Sequence, residues 1–446
     1  MSDFKLRGYR RYEHPFGEGQ IPPVEDMGKK TPQNRWKLPE LNLRSIDASD
    51  MDLSGYDMQD IAFGEGTVWP KDLSKCPKGY ERQDDIIEFG KNPGLGIRSL
   101  HKKGIDGSGM RMAIIDQPLS DHVEYHDNLV HYEEIGYGQE WIEELGGKKA
   151  DDGSMHGSAV ASIAVGKNCG IAPKAKLYYF AAELFHTDEN GQIALDKNKK
   201  PVYTAEYYAK ALDRVLQINK SLPDKEKIQV VSISWGAQEK EGTLHSDLWK
   251  KTLEKAKKEG LFVLTPASRE EYGLGFSGMG KKVLSDPDEP TSYCDDHFNP
   301  PKEIVKKMFV NWYGENFWDK HKKQNLLIPM NHRTTASPVG ESEYVHYFKG
   351  GQSWATPWLA GMFVLARQVN PNITPEQFWE VAAKTGVNSD ILGIQDSGIL
   401  LGNIIQPQKL IEDLQKEKGS ATLKKILQNG SDQTVKDVKM KGKKYE

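Results

Sequence analysis

Cysteine is scarce in this chain. Cys76, Cys169 and Cys294 are the only three in 446 residues, far apart and odd in number. That excludes a disulfide framework and fits a reducing compartment. Long apolar runs are missing too: nothing approaches the roughly 18 consecutive apolar residues of a membrane helix, so no membrane partner is expected. Neither charge dominates, with 64 acidic and 60 basic residues, so no overall field draws the chain to nucleic acid or anionic membranes. The first residues carry Asp3, Lys5, Arg7, Arg10 and Arg11 without an apolar core, which argues against a secretory signal. These absences predict a soluble cytoplasmic protein and leave its oligomeric state open. Glycine and proline number 42 and 23 and are spread along the chain, as in a loop-rich globular enzyme rather than a low-complexity polymer.

The length admits one large α/β domain with extensions. Residues 1–42 are polar and rich in Gly, Pro and charge, as in Gly17-Glu18-Gly19-Gln20-Ile21-Pro22-Pro23, and read as an arm that gains order by lying on something else. From Leu43 to Ile61 a five-residue echo places Asp47, Asp52 and Asp57 before Ala48, Leu53 and Met58. It resembles a pentapeptide-repeat coil too short to stand alone. Past Asn92-Pro93-Gly94 the pattern changes. Leu95–Lys103 reads as a helix closed by Gly104, and Met110–Ile115 as a strand. Strands at Lys176–Ala182, Ile228–Ser234 and Leu261–Thr265 then alternate with helices at Ala205–Asn219 and Asp247–Glu259. That alternation predicts a mostly parallel sheet with helices on both faces, whose functional groups gather at the carboxyl ends of its strands. A buried helix is expected over Pro357–Val369, with Pro357 in its first turn, and another over Thr374–Thr385. The lysine-rich residues 419–446 read as a solvated tail. The expected division is therefore 1–92 extension, 93–418 main α/β domain and 419–446 tail.

Three short segments carry the chemistry. In Gly107-Ser108-Gly109-Met110-Arg111-Met112-Ala113-Ile114-Ile115-Asp116, a glycine turn runs into a buried strand that ends on a carboxylate. His156-Gly157-Ser158-Ala159-Val160-Ala161-Ser162 starts a small-residue helix with a histidine, and Gly350-Gly351-Gln352-Ser353-Trp354-Ala355-Thr356-Pro357 places a serine where a glycine loop enters a helix. Those are the side chains acyl transfer requires. A serine attacks, a histidine takes and returns its proton, and an aspartate orients and stabilises the imidazolium.

The three contexts, in the order Asp…His…Ser, resemble the subtilisin-like serine peptidases. Two further segments extend the resemblance to roughly residues 95–415: Val230-Val231-Ser232-Ile233-Ser234-Trp235-Gly236 and Gly170-Ile171-Ala172-Pro173-Lys174-Ala175-Lys176-Leu177. It implies a three-layer subtilisin-like α/β fold with a non-globular N-terminal extension. It also implies a serine endopeptidase with Ser353 as nucleophile, His156 as general base and acid, and Asp116 as orienting group, acting on a peptide or protein through an acyl-enzyme. The strand edge at Ser234, Trp235 and Gly236 would pair with substrate backbone. The Ser353 N–H would bind the oxyanion, with Ser268 standing where the family usually carries an asparagine donor.

Departures from the family pattern are Gln117-Pro118 after the aspartate, Met155 before the histidine, Ala159 where a second histidine is common, Ala237 after Gly236, and Trp354 and Trp358 around the serine. They point to a restricted cleft and keep open a second reading, a pseudo-peptidase that binds or regulates a peptide partner. Arg269 is another side chain within the expected reach of the oxyanion. No cofactor is expected. Asp121, His122, Glu124 and His126 are metal-ligand types without a zinc spacing and read as solvated loop residues. Asp188-Glu189-Asn190-Gly191 reads as a loop tip. Cys169 reads as a small core residue near the histidine helix.

Overall fold

The computed structural model describes residues 4–10, 41–137, 152–188, 193–236, 242–294, 324–388 and 402–416. Its elements in chain order are β1 (Leu41–Asn42), β2 (Ile61–Gly64), α1 (Gln83–Lys91), α2 (Ile97–Lys102), β3 (Arg111–Asp116), β4 (Leu129–Ile135), α3 (Met155–Val165), β5 (Lys176–Ala182), α4 (Glu206–Ser221), β6 (Val230–Ile233), α5 (Ser246–Lys258), β7 (Phe262–Leu264), α6 (Ser268–Tyr272), β8 (Phe276–Met279), β9 (Leu326–Pro329), β10 (Arg333–Ala336), β11 (Tyr344–Tyr347), α7 (Gln352–Val369), α8 (Pro375–Thr385), β12 (Val387–Asn388) and β13 (Asn403–Ile404).

The central sheet has five parallel strands in the order β4-β5-β3-β6-β7. Side chains alternate across a strand, and β3 divides its own between two cores. Met112 and Ile114 join the cluster built on α3 and α7, whereas Ala113 and Ile115 join the one built on α4 and α5. A strand buried on both faces must be apolar throughout, which is why Met112-Ala113-Ile114-Ile115 shows no alternation. The fold is therefore three-layered and α/β, with helices on both faces of a mostly parallel sheet. Among the described residues no helix is long and apolar enough to cross a membrane.

Helix α7 starts earlier than the sequence suggested. It begins at Gln352, so Pro357 lies inside it and not in its first turn. A proline there cannot donate to the carbonyl four residues back and crowds it. That carbonyl belongs to Ser353, and the Ser234 hydroxyl donates to it at 2.9 Å instead. Helix α8 follows its sequence signals, with a Thr374–Gln377 capping box and Pro375 at its start.

Residues 41–91 are docked on the rest of the described chain. The five-residue echo is a series of tight turns in which Asp47, Asp52 and Asp57 accept backbone N–H bonds from Ser49, Ser54 and Gln59 at 3.0–3.1 Å. The backbone then coils on itself: Ala48 N–H bonds Val68 O at 2.8 Å, Leu53 N–H bonds Lys75 O at 2.7 Å and Met58 N–H bonds Lys78 O at 3.0 Å. Leu41, Leu43, Ala48, Leu53, Met58, Ile61 and Phe63 are buried together with Cys169, Val283 and Tyr344. Strand β2 pairs antiparallel with β11, Phe63 opposite His346. Cys169, four residues past the end of α3, is a buried member of this cluster. Of the other apolar positions there, Ile46, Met51 and Trp69 are only partly covered.

Candidate active site

Asp116 ends β3 at the carboxyl edge of the central sheet, 2% exposed. Its Oδ1 accepts from the Gln117 N–H at 2.8 Å and bonds His156 Nδ1 at 2.7 Å. His156 is in the first turn of α3, whose N-cap Ser154 accepts from the His156 and Gly157 N–H groups. The Ser154 hydroxyl also donates to the Gln117 side chain, tying the helix start to the strand end. Tyr179 donates to Gln117 O at 2.5 Å, and burial pushes its phenol far up, so it stays a donor. Gly157 permits the close approach. A Cβ there would lie 2.5 Å from Gln117 O, a backbone clash relieved only by moving α3 away from Asp116.

Burial by itself pushes the His156 imidazole down. The charge and hydrogen bond of Asp116 outweigh that, and the net pKa is raised above the ordinary value. Bonding Nδ1 to the carboxylate fixes the tautomer and leaves Nε2 to face a reacting group.

Ser353 lies in the first turn of α7, where backbone N–H groups lack intrahelical acceptors and the helix dipole is positive. Gly351, at φ 66° and ψ 178°, turns the chain into the helix. Gly350 admits Met330 O, which would stand 2.4 Å from a Cβ. The structure brings Ser353 to Ser234: each side-chain hydroxyl donates to the other residue's carbonyl, Ser353 Oγ at 3.3 Å and Ser234 Oγ at 2.9 Å. Ser353 Oγ thus points to Ser234 O, not to His156. Trp354 stands edge-on against the imidazole, ring centroids 5.4 Å apart, and against Tyr347 at 5.0 Å. Its buried Nε1 has no hydrogen-bond partner among the described residues.

Ser268 corrects the expected oxyanion contact. It opens α6 fully buried, its Oγ donating to Thr265 O at 2.7 Å and accepting from Thr265 N at 3.1 Å. A hydroxyl closed on its own backbone turn has no donor left for a substrate. Arg269 does not replace it, because its guanidinium bonds Asn325 Oδ1 at 2.6 Å. Ser268→Ala should therefore cost about 1–3 kcal/mol of stability, by orphaning the Thr265 amide, with kcat little changed. A drop of about 10²–10³ in kcat at intact fold would instead mark it as an oxyanion donor.

Ser234 and Trp235 continue from β6, half-buried, and the Trp235 ring packs on Tyr208 at 4.7 Å. Gly236 is buried, and Ala237 lies outside the described residues. The loop at 121–126 is less solvated than expected. His122 and Glu124 are buried; the His122 ring bonds Glu343 O at 2.9 Å, and Glu124 holds the Asn168 and Cys169 amides and the Tyr344 hydroxyl. They stitch this loop to β11. Only His126 and Asp121 form an outlying pair, at 2.9 Å. Sequence reasoning passed over Asn331, whose buried carboxamide oxygen accepts from Gly350 N at 3.1 Å and steadies the serine loop. No motif marks it, because its role depends on a contact between distant loops.

Residues 107–289 match the model of the Subtilase family, Peptidase_S8. Among solved structures it is similar to a protease from Pseudoalteromonas arctica (16% identity over 75% of this chain and 98% of that one, TM-score 0.46). It is also similar to the PatG macrocyclase domain (16%, 72% and 95%, TM-score 0.45) and to the prenylagaramide maturation protease PagA (15%, 72% and 98%, TM-score 0.43).

Proposed function

We propose that this subtilase-fold protein is a serine endopeptidase in which Ser353 attacks the scissile carbonyl, His156 moves the proton and Asp116 orients the imidazole. The observation that carries this reading is the 2.7 Å bond between His156 Nδ1 and a 2%-exposed Asp116. A buried carboxylate spent on a histidine at a sheet's carboxyl edge holds the imidazole in the tautomer a general base needs. Ser353 is nearby, flanked by the Trp354 ring that touches His156. Its hydroxyl sits 3.3 Å from Ser234 O, beyond the usual O–H···O range and so weakly held. Rotation about χ1 carries Oγ to the other staggered positions.

In the cycle, Oγ passes its proton to His156 Nε2 as its oxygen bonds the carbonyl carbon. The oxyanion takes the Ser353 N–H at the helix start. Imidazolium then protonates the leaving amine, and water repeats the sequence to free the acid. Pro357 and Ser234 serve this arrangement from behind, since the freed Ser353 carbonyl is anchored by the Ser234 hydroxyl. The edge of Ser234, Trp235 and Gly236 is assigned to substrate backbone, residues 93–418 to the catalytic unit and 1–92 to a permanent extension.

A second reading, a cleft that binds a peptide without cutting it, is favoured by two observations: Ser353 Oγ faces Ser234, and Ser268 is withdrawn. A fluorophosphonate probe separates the two. The endopeptidase reading expects covalent labelling of the full-length protein and none of Ser353→Ala. Equal labelling of both, or of neither, would leave the binding reading standing.

A further inference from the structure

Away from the Asp116–His156 pair, two imidazoles and a carboxylate converge on one point. His186, Glu206 and His245 each bring one donor atom to a place where all three atoms lie within 4.8 Å of one another. They come from separate parts of the chain. His186 is in the hairpin that follows β5, Glu206 is the first residue of α4, and His245 immediately precedes α5.

The frame that holds them is built from backbone. His186 N–H bonds Val202 O at 2.8 Å, Ala194 N–H bonds His186 O at 2.8 Å, and Thr204 N–H bonds Leu184 O at 3.0 Å. Thr204 and Leu244 form a bridge, and Ala205 N–H bonds Leu244 O at 2.9 Å. His245 is held at φ 59°, a left-handed conformation that few residues with a side chain adopt.

One ring nitrogen of the group is left open. His186 Nδ1 is shielded from solvent and has no hydrogen-bond partner among the described residues. A buried imidazole nitrogen without a partner is costly unless something fills its lone pair or takes its proton. Glu206 divides its carboxylate: Oε1 holds Lys210 Nζ at 2.7 Å, and Oε2 faces His245 Nδ1 at 3.8 Å. Thr204 Oγ1 and His245 Nδ1 share a hydrogen bond at 3.0 Å.

We propose that His186, Glu206 and His245 form a zinc site, with its fourth position open to water. Two imidazoles and one carboxylate are a donor set that suits Zn²⁺ better than Ca²⁺ or Mg²⁺, which take oxygen ligands. Bonds of about 2.0–2.2 Å in a tetrahedron place ligand atoms about 3.3–3.6 Å apart. The bound ion joins the β5 hairpin to the starts of α4 and α5.

The test uses the full-length protein, freed of metal by chelation and titrated with zinc against a chromophoric chelator. One equivalent should bind with micromolar or tighter Kd and raise the melting temperature. Cobalt(II) should give the intense visible bands of a tetrahedral ion. His186→Ala and His245→Ala should each weaken binding by about 100-fold or more, whereas His126→Ala, at an exposed pair elsewhere, should not. Glu206→Gln, nearly isosteric, keeps the test decisive if a histidine variant fails to fold, and it should weaken binding at least about 10-fold. No binding at 1:1, or zinc affinity unchanged in the folded Glu206→Gln variant, overturns the site. Because every readout is metal binding, the result does not depend on whether Ser353 is a nucleophile.

Discussion

Replacing Asp116 with asparagine should lower kcat by about 10⁴-fold while leaving the fold intact, because a carboxamide orients the imidazole in the wrong tautomer. The same change should move the pH profile. In the wild type, burial pushes His156 down and Asp116 more than reverses it, so the imidazole pKa stands above its ordinary value. A general base must be neutral. The kcat/KM of the wild type should therefore fall as pH drops through a midpoint above about 6.5. With asparagine the carboxylate's contribution disappears and burial remains, so the midpoint of the residual activity should move downward. Rates against a peptide substrate from pH 5 to 9 check both parts. A variant within about tenfold of wild type, or an unmoved acid limb, would remove Asp116 from the proposed machinery.

The other large effect concerns residues 1–90. Deleting them removes β1 and β2, unpairs β11 at Val345 and His346, and uncovers Cys169, Val283 and Tyr344. It also removes a clamp beside the site. Arg7 N–H bonds Leu119 O at 2.9 Å, and Gly8 O accepts from Gly153 N at 2.9 Å and Ser120 Oγ at 2.8 Å. Arg7 is further ion-paired to Glu134. That short strap joins the residues after Asp116 to those before His156. The truncated protein should aggregate or melt well below the full chain, since it exposes an apolar patch and a bare strand edge together. Phe63→Ala samples the same interface in a single residue and should cost about 3–5 kcal/mol, measured by denaturant unfolding. A soluble, equally stable and fully active truncation would make the extension a detachable adaptor.

Much was legible in the residues themselves. The unbroken apolar run of β3, the capping box of α8 and the 3.6-residue stripe of α4 are local patterns with local causes, and the structure places all three elements within a few residues of the expected bounds. The parallel sheet followed from their alternation. The chemistry-bearing residues stood out because each sits at the end of an element, where chain geometry forces a turn. What the sequence could not supply were contacts between distant segments. Pro357 looked like a helix start because proline favours first turns. Tertiary packing extended the helix back to Gln352 and supplied Ser234 as a partner for the freed carbonyl. Ser268 looked like a donor by its place after a strand, but a short helix turned its hydroxyl inward. Glu124 and His122 looked solvated until β11 covered them. The gathering of His186, Glu206 and His245 has no spacing signature at all. Those residues meet only because a hairpin and two helix starts are brought to the same edge of the sheet. Local patterning fixes which elements form; only long-range packing decides which polar atoms those elements leave facing one another.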